Sequence, residues 1–327
     1  MEENYSVPIY DLWDGFSPDG FQRGLFMILR GYLDESYDGQ KTPRMFGLTC
    51  TMAQGSEWFW IETAWQKCLE EKNASLKEQG RILIKRYHSA DINSFQGDFT
   101  DWNGPERQAF CEKLLRVLSR HIGRYDGYLI NLQELIEEWP ETKSDPKAYA
   151  YSFLLKFLMI RIGKGINQGL PGTKITLFHD RCAYDEILLA AFNEMMNDPT
   201  FAYKQCFTTI APMGWEDCIA LQPADLIAYE NFKEGHRLLP SEKTRDRRKI
   251  LDALLSIDSF SQRLALLSRG NIRELKGLSD AAKKKQASKR QRIRKFHSHS
   301  RTAAKSAAQR DKGKTRRRKS RKKAEEI

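Results

Sequence analysis

Apolar residues crowd positions 25–36 and 44–53 (RMFGLTCTMA), with the turn formers of SYDGQKTP between them, which predicts two strands joined by a turn. In SEWFWIETAWQKCLEEKN (56–73) the period changes. Trp58, Ile61, Trp65 and Leu69 recur every three or four residues behind Ser56, a candidate N-cap, and so predict a helix. RILIKRYH (81–88) reads as a third strand, followed by a polar loop holding DINSFQGDFTDWNG. Residues 105–122 open on Pro105 and Glu106 and suit a helix with Phe110, Leu114, Leu115 and Leu118 inward. DGYLINLQEL (126–135) predicts a strand, and KAYAYSFLLKFLMIRIGKGI (147–166) an apolar helix that stops near Gly163 or Gly165. KITLFHD (174–180) is the clearest strand, and it ends on an acid. A helix over 184–197, a strand through CFTTIAP (206–212), a helix carrying PADLIAYENF (223–232) and helical structure over 246–276 follow.

Strands alternating with helices predict an α/β domain over 24–235, with helices packed on a mixed central sheet. An N-terminal extension (1–23) precedes it. A C-terminal helical segment (236–280) and a tail (281–327) follow.

Charge sets that tail apart. From Lys283 to Ile327 the chain carries 20 Lys and Arg against three acids, while the preceding 282 residues carry 34 basic and 40 acidic groups. The high isoelectric point therefore belongs to the tail. With one aromatic residue, Phe296, the tail cannot offset its chain entropy and is expected to be disordered alone. Such a polycation binds RNA or DNA through counterion release, with Lys283, Lys284, Lys285, Arg290, Arg292, Arg294, Arg316, Arg317 and Arg318 as candidate contacts. Six scattered cysteines without a C-x-x-C pair predict reduced thiols in a cytoplasmic protein. The start MEENYSVPIYDLWDGF lacks the order of a signal peptide, and no run reaches the roughly 18–20 apolar residues of a membrane span.

Three acids stand in comparable places. Asp34 follows the first apolar run, Asp180 closes KITLFHD, and Asp225 lies in LQPADLIAY. Carboxylates from neighbouring strand ends can hold hard divalent cations such as Mg²⁺ or Mn²⁺. Each also has a plainer reading. Asp34 and Glu35 point to opposite faces of a continuing strand and suit a solvated strand end. Asp180 can pair with Arg181, and Asp225 can complement the helix dipole behind Pro223.

Taken together, GYLDES, RYHSADINSFQGDF, LFHD and LQPADLIAYE resemble the bacterial and phage family called domain of unknown function 3800, over about 24–235. That family shows a DES after an apolar strand and a Q-x-AD-L-I-A-Y helix, and is grouped with ribonuclease H-like folds. The resemblance implies a metal-dependent nuclease. It assigns Asp34, Asp180 and Asp225 as metal-holding catalytic residues, with Glu35 and Gln222 in support. Pro223 departs from the motif and bears on where the helix starts.

His88 and His179 are candidate proton shuttles or ligands, with structural hydrogen bonding as their plainer role. No Cys/His cluster has ligand spacing, so no zinc site is expected. GKGIN lacks the Walker pattern, and no G-x-S-x-G is present. Two other readings remain open at this level. One is a nucleic-acid-binding protein without catalysis. The other is an interaction module of a phage or defence system presenting SEWFWIETAW.

Overall fold

The computed structural model describes residues 28–38, 44–239, 246–255 and 261–277. The N-terminal extension and the basic tail, with the nine candidate contacts from Lys283 to Arg318, lie outside the described residues. Six strands, β1 (Ile28–Tyr37), β2 (Met45–Gln54), β3 (Arg124–Asn131), β4 (Lys174–Asp180), β5 (Phe207–Met213) and β6 (Ser261–Leu267), form one mixed sheet in the order β5-β4-β1-β2-β3-β6. The β1-β2 and β2-β3 pairs are antiparallel; a short connection joins the first pair, and helices lie between β2 and β3. β4 pairs parallel with β1, β5 with β4, and β6 with β3.

Helices cover the sheet. The main ones are α1 (Gly55–Glu78), α3 (Gly104–His121), α5 (Pro146–Gly169), α6 (Asp185–Asn197) and α7 (Leu221–Leu238), with shorter α2 (Ser89–Ser94), α4 (Leu132–Glu138) and α8 (Lys249–Leu255). Trp58, Ile61, Trp65 and Leu69, the stripe read from the sequence, are all buried. They join Leu114, Leu115 and Leu118 of α3 and Leu226 and Ile227 of α7 in one core cluster. Asn103 caps α3 by accepting from the Glu106 N–H at 2.9 Å, with Pro105 in the first turn where no donor is needed. None of the described helices is long and apolar enough to cross a membrane, and all six cysteines are free. Residues 269–277, a separate unit, are helical.

Several expected elements differ. Residues 81–88 form no strand, because side chains take their backbone groups. The N–H groups of Ile84, Lys85 and Tyr87 donate to Asn73, Asp98 and Gln222 at 2.7, 2.8 and 2.8 Å. Residues 132–135 leave the strand for α4, turned by Asn131, whose side chain accepts from Gln133 and Glu134 N–H. Within 246–276, residues 261–267 are a strand rather than helix, because β3 leaves an open edge for β6 to fill. α1 starts at Gly55 with no side-chain cap, so Ser56 lies inside it.

The helix expected to stop at Gly163 or Gly165 runs on to Gly169. Both glycines serve close packing. A Cβ at Gly163 would stand 2.5 Å from Tyr203 Cβ, and one at Gly165 would strike the Arg124 guanidinium. Gly163→Val is accordingly expected to destabilise the protein by about 1–3 kcal/mol, read as a lower urea midpoint at unchanged slope.

Candidate functional site

β1 and β4 run side by side in the same direction, with Leu33 opposite His179. One residue further along, each strand reaches an acid, so Asp34 and Asp180 become neighbours on the same face. That face lies under α7. Thr49, the β2 partner of Asp34, accepts from Asn231 of α7 at 3.3 Å, and α7 brings Asp225 over the same edge. The three aspartates line one cavity of about 360 Å³. Glu35 points to the opposite face, as strand alternation requires, where the Tyr151 hydroxyl donates to it. It still lines the cavity, which wraps around this end of β1. The strand-end reading does not hold for Asp34 and Glu35, since β1 continues to Tyr37.

Burial dominates the electrostatics, and at Asp34 crowding adds to it. Burial, then the charges of Asp225, Glu35 and Asp180, push the Asp34 carboxyl well above its ordinary range, with only the Arg86 charge opposing. Burial raises Asp225 from an ordinary 3.8 to about 6, against His88, two hydrogen bonds from Ser89, and Arg86. Burial likewise raises Glu35 and Asp180. Asp180 is partly relieved by its acceptance of the Arg181 backbone N–H at 2.9 Å, so the contact with Arg181 is to the main chain. Four carboxylates therefore share a cavity that is costly to charge without a cation.

Segment 86–89 closes the cavity and supplies residues that the strand and helix pattern did not mark. The Ser89 backbone N–H donates to Asp225 Oδ2 at 2.7 Å, fixing that carboxylate. Arg86 lies over the Trp215 ring, 4.5 Å from its centroid, and both line the cavity. His88 Nδ1 stands 2.8 Å from Asp91 Oδ2 at the rim. The available signal was RYHSAD itself, a polar run too rich in side-chain partners to read as an interior strand.

Gln222 is buried, and its carbonyl oxygen is already committed. It accepts from Trp65 Nε1 at 3.1 Å and from the Tyr87 N–H at 2.8 Å. Its place in the structure is thus to pin segment 86–89 to α1 and α7. Pro223 falls in the first turn of α7, where its missing N–H costs nothing, and Asp225 lies beyond that turn. The helix-dipole reading of Asp225 is therefore weakened. Gln222→Leu strands two buried donors and is expected to cost about 2 kcal/mol, seen as a reduced chemical-denaturation midpoint.

The cavity acids are of the donor type a hard divalent cation takes, although among the described residues only His179, Cys182 and Asp185 bring three donor atoms within 4.8 Å of one another. All four cavity acids offer oxygen, their mutual repulsion is what a bound charge relieves, and Mg²⁺ and Mn²⁺ take such ligands. His179, Cys182 and Asp185 are donors that Cys/His spacing did not reveal. Counting only Cys and His overlooked the Asp that completes the set. No family model matches the chain, and neither do curated proteins or solved structures.

Proposed function

We propose that this protein is a metal-dependent nuclease that hydrolyses phosphodiester bonds of RNA or DNA on a ribonuclease H-like scaffold. The observation that carries this reading is the meeting of Asp34, Asp180 and Asp225, with Glu35, in one cavity at the edge of the sheet. The sheet supports it. Strands β3, β2 and β1 pair antiparallel, and β4 and β5 extend the sheet parallel to β1, an order compatible with ribonuclease H-like folds. The motifs GYLDES and LQPADLIAY, which resemble domain of unknown function 3800, contain two of the three aspartates.

Asp34, Asp180 and Asp225 would hold Mg²⁺ or Mn²⁺, and Glu35, held by Tyr151 on the opposite face of β1, would support them through its charge. The cation, when bound, supplies Lewis acidity toward a phosphate oxygen and a more acidic water. The protein's own residues do the positioning. Ser89 holds Asp225 in one orientation, and Gln222 keeps the segment bearing Ser89 in place. Arg86, backed by the Trp215 ring, offers a guanidinium to a phosphate at the cavity wall. His88, at the rim beside Asp91, can give a proton to a departing oxygen.

The test is an end-labelled oligonucleotide assay with the full chain, using single- and double-stranded RNA and DNA in Mg²⁺, Mn²⁺ or chelator. Cleavage that needs the divalent ion and disappears in Asp225→Asn is expected. Tight, salt-sensitive binding with no cleavage under any condition would overturn the nuclease reading in favour of a binding protein.

A further inference from the structure

We propose that His179, Cys182 and Asp185 form a binding site for one borderline transition-metal cation, Zn²⁺ foremost, in addition to the carboxylate cavity. The three residues follow one another at steps of three across the turn between β4 and α6. The turn folds back on itself. The Cys182 N–H donates to Asp185 Oδ1 at 2.9 Å, and the Arg181 N–H donates to the Met213 carbonyl at 2.9 Å.

One donor atom from each residue then lies within 4.8 Å of the other two, and His179 Nδ1 is 3.6 Å from Asp185 Oδ1. Zinc bonds of about 2.0–2.3 Å hold tetrahedral donors roughly 3.5 Å apart, so only small side-chain rotations are required. Cys182 and Asp185 are half-buried, whereas His179 is buried and its Nδ1 donates to the Asp180 carbonyl at 2.9 Å, a bond that coordination at Nδ1 replaces as the ring proton moves to Nε2.

The ligand types set the selectivity. Sulfur and imidazole nitrogen suit Zn²⁺ or Co²⁺ and are poor ligands for Mg²⁺. Binding releases the Cys182 thiol proton to solvent and leaves a thiolate–metal bond. With three protein ligands a fourth position stays open for water. Tyr151 Oη lies 3.9 Å from Cys182 Sγ, and the same hydroxyl donates to Glu35, so one side chain links this site to the carboxylate cavity. Cys182 also differs from the other five cysteines, all of which are buried.

The experiment titrates Co²⁺ into the full-length, chelator-stripped protein and records the near-ultraviolet sulfur-to-cobalt charge-transfer band. One equivalent is expected to saturate the band. Cys182→Ser is expected to remove it, and Asp34→Asn/Asp225→Asn to keep it, so this site and the carboxylate cavity are tested separately. Histidines elsewhere cannot produce a sulfur band. The unaltered protein offers a second readout. Zn²⁺ is expected to slow iodoacetamide alkylation of Cys182 at least about 10-fold, and Mg²⁺ to leave it unchanged. No band in wild type, a band that survives Cys182→Ser, or alkylation indifferent to Zn²⁺ would each overturn the proposal.

Discussion

Asp34→Asn is expected to raise the melting temperature of the chelated protein by about 5 °C at pH 7.5. The same variant is expected to lose divalent-dependent cleavage by about 10³-fold or more, which is about 4 kcal/mol of barrier. The two effects share a cause. Asp34 is costly to ionise, because it is buried and stands among Asp225, Glu35 and Asp180, with Arg86 opposing. Removing that repulsion relieves about 2 kcal/mol, while removing the carboxylate takes away a ligand. Gly31→Val, by contrast, would lower the melting temperature, since a Cβ there meets Cys50 Sγ at 2.8 Å and Leu177 Cδ2 at 2.9 Å.

The pH dependence has a definite sign. A carboxyl raised on folding keeps its proton in the native state over a range where the unfolded chain has lost it. For Asp225 that range runs from an ordinary 3.8 to about 6. This group's contribution to stability is therefore largest below the lower value and falls as pH rises through the higher one. Melting curves of chelated protein across this range should show the decline, and saturating Mg²⁺ should reverse it at pH 7.5. Asn at position 225 can still accept from Ser89, so Asp225→Asn should flatten the decline without unfolding the segment. If Asp34→Asn melts lower than wild type and Mg²⁺ still stabilises it equally, the cavity acids are structural and the metal reading fails.

The second large effect concerns an acid unconnected with the cavity. Asp126 of β3 is fully buried, 2.6 Å from Arg124 Nη2 and 3.5 Å from Arg161 Nε of α5. Asp126→Ala leaves two half-buried guanidinium groups facing each other across a void, and is expected to cost about 3 kcal/mol. Adding Arg124→Leu should recover part of the loss, because it removes one stranded charge and supplies apolar volume. A double-mutant cycle in urea measures the coupling. Additive losses would mean that the arginines reach solvent on their own and the pair contributes little.

How far the sequence could be read depended on where each segment's hydrogen bonds go. KITLFHD and the 184–197 helix lie close to where periodicity places them, since their backbone groups pair within regular elements and their apolar positions, such as Ile175, Leu177, Leu188 and Phe192, are buried. RILIKRYH defeated the same reasoning. It has strand-like composition, but its donors go to Asn73, Asp98 and Gln222, the last of them 135 residues away. Gly163 and Gly165 read as a helix end because glycine weakens helices, whereas Tyr203 and Arg124 on other elements require a residue without a Cβ at those positions. Residues 261–267 read as helix because periodicity cannot report an open edge on β3.

The acids divide in the same way. Sequence alone determined that Asp34 and Asp180 each follow an apolar run, that Asp225 lies in the LQPADLIAY helix, and that Asp34 and Glu35 must point apart, because strand geometry is local. It also determined the excess positive charge from residue 283 onward, which is a matter of composition. Only the tertiary structure decided that Asp34 and Asp180 stand side by side, because the register of two parallel strands 146 residues apart is not written in either one. It alone placed Arg86 and Ser89 against these acids, committed Gln222 to Trp65 and Tyr87, and drew His179, Cys182 and Asp185 into one turn. All but the last depend on which distant segments the core brings together, and burial then turns their proximity into shifted protonation.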